Sequence, residues 1–270
     1  MSRIGIIVPT IFSRPRYLPL AINTIRDSGD CFLLLASPAP ANEVQPLVAQ
    51  LCESGQIDSH LIETSGLPLA EKINEALRAL PADCEYIGWL GDDDILLPGA
   101  LLAAAGVLDR NPDAAMAFGG CDYISASGET LFTNHSSQFA AKLLKFGPQL
   151  IPQPGSLWRR EAFEKVGGLS GEFYLAFDFD LFLKLSGEGK LLHIPQTLAQ
   201  FRWHPDSLSV KKRWVSATEA SKVRRKHYSG LMSGIWPLWE PWIVAATWAA
   251  GKMMNIRARF LMRNSRASSN

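Results

Sequence analysis

The chain reads as an α/β protein with a mostly parallel central sheet flanked by helices and a helical, basic C-terminal tail. Three observations predict this. Short apolar runs of strand length alternate with amphipathic stretches of helical spacing through the first 120 residues. The connections are short, so successive strands return to one sheet through right-handed crossovers. An acid cluster stands directly after one apolar run, where α/β sheets carry their ligands.

Each element follows from its pattern. Residues 4–8, an Ile-Gly-Ile-Ile-Val run closed by Pro9, make a buried parallel strand. Residues 16–26 form a helix with Leu18, Ile22 and Ile25 on one face. Residues 31–36 are a second strand, ended by Ser37-Pro38. Residues 43–53 are helical, with Val44, Leu47, Val48 and Leu51 turned inward. A short third strand at 60–63 precedes a helix at 69–80 that buries Ile73, Ala76, Leu77 and Leu80. The fourth strand, 86–90, runs straight into Gly91-Asp92-Asp93-Asp94. A helix at 98–109 and a strand at 115–118 end the regular part. Beyond it, 120–150 reads as a hairpin and a mobile insertion, 161–166 and 179–186 as helices, and 197–203 as a strand.

Apolar residues make up 47% of the chain, enough for a sizeable core. The net charge of +1 conceals an asymmetry. Residues 211–270 hold 12 Lys+Arg and 2 Asp+Glu, a balance of +10. Residues 1–210 keep 15 and 24, a balance of −9. A basic tail on an acidic body points to an acidic partner for the tail. Cys31, Cys52, Cys84 and Cys121 form no CxxC pair and lie in or beside apolar stretches. They read as reduced core residues of a cytosolic protein. The first residues lack the pattern of a signal peptide, and no run approaches the ~20 apolar residues of a membrane span.

Three adjacent aspartates at a strand end raise one another's pKa unless a cation intervenes. Mg²⁺ or Mn²⁺ takes oxygen ligands and bridges to phosphates. A solvated turn or a helix cap is the competing explanation. The place of the cluster, after an apolar strand and before Ile95-Leu96-Leu97-Pro98, favours a metal–diphosphate site. A second carboxylate centre is Phe177-Asp178-Phe179-Asp180, opening an apolar-faced helix. There an N-cap is the plain alternative to a catalytic group.

The stretch from Tyr86 through Asp92-Asp93-Asp94 to Leu101 resembles the DxD region of glycosyltransferase family 2, inverting enzymes of the Rossmann-like GT-A fold. The resemblance extends over residues 4–210 through several further segments. These are Val8-Pro9-Thr10 with Arg14, the helix from Leu69 to Leu77, and Pro154 to Leu169. Two more are the Asp178-Phe179-Asp180 segment and Gln200 to Ser209 with Arg202 and His204. It implies a division into a nucleotide-binding half, 1–120, and an acceptor half, 121–210, followed by the tail, 211–270.

The resemblance also implies roles. Pro9, Thr10, Arg14, Ser37, Asn74 and Asp92 would bind the nucleotide, with Glu71 a weaker candidate. Asp93, with Asp94 and His204, would hold Mg²⁺ or Mn²⁺, and Arg202 would meet the diphosphate. Asp178 would be the base that deprotonates the acceptor. Asp180 reads as structural or as orienting a neighbour, and Trp158 as core, with stacking on a sugar as its alternative. Gly91 and Phe177 stand where the family carries acids, and Ser37 where it carries an Asp pair. The implied reaction moves a sugar from a nucleotide sugar to a hydroxyl of a glycan or lipid-linked acceptor. A UDP-sugar is favoured, with dTDP- and GDP-sugars as alternatives.

Five of the eight tryptophans follow residue 210, interleaved with Lys and Arg. That pairing is the signature of an interfacial helix, and it predicts a peripheral enzyme on the inner face of a membrane. A helical pair packed on the catalytic domain or in a homodimer is the alternative, and nucleic acid is not expected. Two other functions compete. A sugar nucleotidyltransferase needs a Gly-rich phosphate loop, and residues 11–16 contain no glycine. An inactive nucleotide-sugar-binding module is the other.

Overall fold

The computed structural model describes residues 2–38, 42, 44–63, 66–203 and 212–268. The alternating half folds as read. Strands β1 (Ile4–Pro9), β2 (Phe32–Pro38), β3 (Ser59–Glu63) and β4 (Tyr86–Trp89) are joined by helices α1 (Leu18–Ser28), α2 (Gln45–Glu53) and α3 (Leu69–Arg78). After β4 come β5 (Ile95–Leu96), α4 (Ala100–Arg110), β6 (Ala114–Ile124), β7 (Thr130–Asn134) and α5 (Gln138–Leu143). Then follow β8 (Leu157–Arg159), α6 (Arg160–Lys165), α7 (Phe177–Glu188) and β9 (Lys190–Arg202). The tail contributes α8 (Arg213–Lys226), α9 (Met232–Ile235), a 3-10 turn at Trp236–Leu238 and α10 (Glu240–Ser268).

The nine strands form one sheet in the order β3-β2-β1-β4-β8-β6-β9-β5, with β7 on β6. Strands β1 to β4 pair in parallel, and so do β6 and β9. Because β8 is antiparallel to both β4 and β6, those two groups run the same way. Six of the nine strands thus share one direction. Period-two alternation sends Ile4, Ile6 and Val8 to one face of the sheet and Ile7 to the other. Helices α1, α2 and α4 cover the first face, and α3, α6 and α7 the second. The chain steps outward from β1 to β2 and β3, then returns to place β4 on the other side of β1. This reversal opens a crevice between the ends of β1 and β4, where such sheets bind ligands.

Two strands are longer than their apolar runs. β6 continues past residue 118 through Gly119-Gly120, and β9 begins at Lys190, not at 197. The pairing jumps from Phe118↔His193 to Gly120↔Thr197, which leaves Pro195 in the irregular step. A proline lacks the N–H of a regular ladder and fits there. A Cβ on Gly119 would lie 2.5 Å from the Leu198 side chain, so a glycine is needed. The expected insertion at 120–150 holds a β6–β7 hairpin and the short helix α5. Helix α7 starts two residues earlier than read, which puts Asp178 inside its first turn. Cys31, Cys84 and Cys121 are buried free thiols, but Cys52 is exposed on α2, whose inward face is Val48 and Leu51.

The tail is seated on the body. α8 adds Ala220 and Val223 to the core cluster that contains α7. Arg224 and Glu240, each 1% exposed, pair inside the tail, with Nε to Oε1 at 2.8 Å. Arg224 Nη1 also donates to the Gly147 carbonyl at 3.0 Å. No helix among the described residues is long and apolar enough to cross a membrane.

Candidate active site

The loop after β4 carries the acid cluster to the crevice beside β1, and each aspartate faces a different partner. The Thr10 hydroxyl, just past β1, donates to the Asp92 carboxylate. Arg14 Nη1 pairs with Asp93 Oδ2 at 2.6 Å. Asp94 Oδ1 accepts the Arg202 backbone N–H at 2.9 Å, at the end of β9. Burial pushes the Asp92 carboxyl above its ordinary range, and the charge of Asp93 adds to this against the Thr10 bond. Asp94 is pushed further up, first by burial and then by the charge of Asp93.

Gly91 shapes this loop. A Cβ built there would lie 2.8 Å from Asp94 Oδ2 and 3.5 Å from Asp93 Oδ1. Two carboxylate oxygens therefore converge over a bare backbone, which an aspartate in that position would crowd. The donor set is all oxygen, and two of its members are held above their ordinary pKa. A hard divalent cation suits such a set. Arg14 supplies the neighbouring positive charge in the present arrangement. Among the described residues no three His, Cys, Asp or Glu side chains group closely enough to hold a metal ion. His204, expected in the metal shell, lies outside the described residues.

Three expected nucleotide or phosphate contacts are engaged elsewhere. Arg202 is 3% exposed; its Nε donates to the Asp93 carbonyl at 2.9 Å and its Nη1 to the Ser125 carbonyl at 3.1 Å. Its guanidinium lies 4.4 Å from the Tyr17 ring centroid. It braces the backbone of the acid loop and is buried, so its donors at Nε and Nη1 serve protein carbonyls. Asn74 is buried and binds both backbone groups of Leu169, donating to the carbonyl and accepting from the N–H, each at 2.9 Å. It ties α3 to the turn after α6. Gly168 in that turn has φ +73°, and a Cβ there would lie 2.7 Å from Asn74 Oδ1. Glu71 accepts from the Asn74 amide at 3.2 Å. Ser37 is buried at the end of β2, donates to the Pro38 carbonyl and lies 2.8 Å from His60 Nε2. Burial lowers the His60 pKa, so a neutral ring donating through Nε2 satisfies this pair.

The second carboxylate centre is built from the first turn of α7. Asp178 Oδ1 accepts the Phe179 N–H at 2.8 Å, and Oδ2 accepts from Gln149 Nε2 at 2.8 Å. Burial raises its pKa, against those two hydrogen bonds. The carboxylate opens on a cavity of about 370 Å³ walled by Tyr123, Gln153, Phe201, Trp203 and the inner face of α10. Two features tie this cavity to the acid loop. Gln153 Nε2 donates to the Trp89 carbonyl at 2.8 Å, and the Trp89 and Phe177 rings lie 6.2 Å apart. Arg202, whose N–H holds Asp94, stands between the cavity residues Phe201 and Trp203. Asp178 and the acid loop thus flank one end of β4.

Asp180 is fully buried and pairs with Lys184 at 2.8 Å and His227 at 3.0 Å, a structural role. Trp158 is buried against Trp89, with ring centroids 5.1 Å apart, as its assignment to the core expects. Sequence reasoning missed Gln149, Gln153 and His60. Nothing in periodicity marks the two glutamines, which lie in an irregular segment.

No protein-family model and no curated protein sequence matches the chain. Solved structures share its fold. The mannosyltransferase PcManGT from Pyrobaculum calidifontis, in complex with GDP-Man and Mn²⁺, superposes with a TM-score of 0.65 at 15% identity, over 99% of this chain and 80% of that one. S. aureus TarS 1–349 gives 0.60 at 12% identity over 86% of this chain and 68% of that one. Its complex with UDP-GlcNAc gives 0.61 at 14%, over 83% and 65%. The longer TarS is covered over 41% of its length. At these identities the likeness establishes the architecture: a curled, mostly parallel α/β sheet flanked by helices.

Proposed function

We propose that the chain is a divalent-metal-dependent glycosyltransferase that moves a sugar from a nucleotide sugar to an acceptor hydroxyl with inversion. The observation that supports this reading is that the acid loop follows β4 directly, while the cavity lined by Asp178 is tied to the same strand end through Gln153 and the Trp89 carbonyl. The loop is oxygen-rich and fit for a cation, and Asp178 is a buried carboxylate over the cavity. Fold partners that carry GDP-Man with Mn²⁺, and UDP-GlcNAc, support the donor class.

In this reading the nucleoside lies along the end of β1, by Pro9 and Thr10, with Asp92 turned towards the ribose. Asp93 and Asp94 would hold Mg²⁺ or Mn²⁺, which when bound offsets the charge of the departing diphosphate as a Lewis acid. Arg14 leaves Asp93 and turns to the phosphates. The acceptor occupies the cavity over Asp178. Asp178 takes the proton of the acceptor hydroxyl, and the oxygen attacks the anomeric carbon from the side opposite the nucleotide. The bond to the diphosphate breaks with its electron pair, and the configuration inverts. A carboxylate raised by burial is a stronger base than an exposed one, which suits the step. Gln149 fixes its orientation. Arg202 and Asn74 act as positioning residues, the first under the acid loop and the second between α3 and the α6 turn.

The test is a panel of UDP-, dTDP- and GDP-sugars incubated with the chain and Mn²⁺, reading thermal shift and release of nucleoside diphosphate. Stabilisation by one donor that requires Mn²⁺, with slow release of its diphosphate, is expected. Indifference to every donor and to the metal would remove the reading.

A further inference from the structure

Helix α10 turns an apolar stripe to solvent. A helix on a soluble protein turns its apolar stripe to the core and its polar face to water. The inward face of α10 mixes polar and apolar groups: Thr247, Gly251, Met254, Asn255, Ala258 and Leu261. Asn255 accepts from Trp203 Nε1 at 3.2 Å, Ala258 joins a small cluster with Leu131 and Trp203, and Thr247 lines the Asp178 cavity. The outward face is Trp242, Ala246, Ala249, Met253, Ile256 and Phe260, at alternating steps of four and three residues. At about 100° per residue these six fall within about 40° of one line, opposite the inward face. Trp242 is 76% exposed, Met253 68%, Ile256 60% and Phe260 61%. Leu231 and Leu238, in the approach to the helix, are exposed too.

Charge decides what covers this stripe. Lys252 and Arg257 are exposed and sit about 80° and 60° to either side of its centre line. The whole tail carries a balance of +10. A second copy would bring the same cations against these, and like charges oppose that contact. An anionic surface with an apolar interior matches both the stripe and its flanks. The helix has 29 residues but no segment apolar enough to span.

We propose that α10 lies in the headgroup region of an anionic bilayer, with Trp242, Met253, Ile256 and Phe260 inserted and Lys252 and Arg257 on the phosphates. This docking does not depend on the enzymatic reading.

The test uses the purified full chain in flotation with phosphatidylcholine vesicles, with and without phosphatidylglycerol. The chain floats with the phosphatidylglycerol vesicles, its tryptophan emission shifts to the blue, and added salt weakens binding. Trp242→Ser with Phe260→Ser lowers the partition by on the order of tenfold or more. Lys252→Glu with Arg257→Glu removes the preference for phosphatidylglycerol. Neither pair changes the thermal shift by donor and Mn²⁺, which reads the active site alone. No flotation with anionic vesicles overturns the proposal. So does a dimer in light scattering that the serine pair disrupts without any lipid binding.

Discussion

Asp178→Asn separates catalysis from folding, because the two respond with opposite signs. Asparagine keeps the volume of the side chain, and its Oδ1 can still accept the Phe179 N–H. Its Nδ2 then faces Gln149, where two donors would oppose each other. Turning the Gln149 amide by half a turn presents its oxygen and restores the bond. The fold therefore tolerates the change, and chemistry does not. Loss of a general base costs about 10² to 10⁴ in turnover, or about 2.7 to 5.4 kcal/mol of barrier. Stability moves the other way. Burial raises the pKa of Asp178 in the folded chain, so ionisation is less favourable there than in the unfolded chain. That penalty is absent below the unfolded pKa, grows as pH rises, and is complete above the folded one. At neutral pH the asparagine variant is expected to melt at a higher temperature than the parent. The assay pairs diphosphate release at saturating donor with thermal melts at neutral and acid pH. Turnover within a factor of about three of the parent would refute the base assignment, given the range expected for a lost base. A lower melting temperature would refute the account of the buried charge.

Three further outcomes follow. Gly91→Ala puts a Cβ 2.8 Å from Asp94 Oδ2 and displaces that carboxylate; Mn²⁺ affinity, read by thermal-shift titration, should fall on the order of tenfold. Gln149→Leu removes a hydrogen bond that opposes the rise in the Asp178 pKa. The base works ionised, so activity disappears as pH falls through that pKa, and the acid limb of kcat/KM should move to higher pH. An unmoved limb would dissociate Gln149 from the base. Arg224→Met leaves Glu240 buried without its cation, at a cost of about 3–5 kcal/mol. A melting temperature lower by on the order of 10 °C is expected, with much of it recovered by adding Glu240→Leu.

The parts of this protein that could be read from sequence are those whose cause is local. Strands β1, β2 and β4 are short apolar runs, and buried parallel strands need little else; β3, Ser-His-Leu-Ile-Glu at the sheet edge, follows from the alternation of elements. The acid loop and Asp178 stand out in the sequence because carboxylates beside apolar segments are costly unless they are paired. β6 and β9 were truncated because Gly119-Gly120 and Pro195 look like breakers. They are one irregular step in a shared ladder, visible only when the two strands lie together. Asn74 and Arg202 mislead for a related reason. A buried amide and a buried guanidinium carry the residue types of ligand contacts. Their partners, the Leu169 backbone and the carbonyls of Asp93 and Ser125, are 95, 109 and 77 residues away. Periodicity holds no record of such distances.

The tail asks for a different account. A boundary at residue 210 follows the shift in charge, yet it does not separate two cores. Ala220 and Val223 of α8 share the cluster of α7, the helix that bears Asp178. His227, at the end of α8, holds Asp180 two residues further along α7. The inner face of α10 closes the cavity over the same carboxylate. Any force that shifts α8 and α10 must then act on the surroundings of Asp178 and on the width of the cavity it lines. If α10 rests in a bilayer, the cavity lined by Asp178 lies on the other side of that helix, close to an acceptor anchored in the lipid. The charge asymmetry fits the two proposals together: a face docked on anionic lipid would be cationic, and a crevice that holds a divalent cation would be rich in carboxylates.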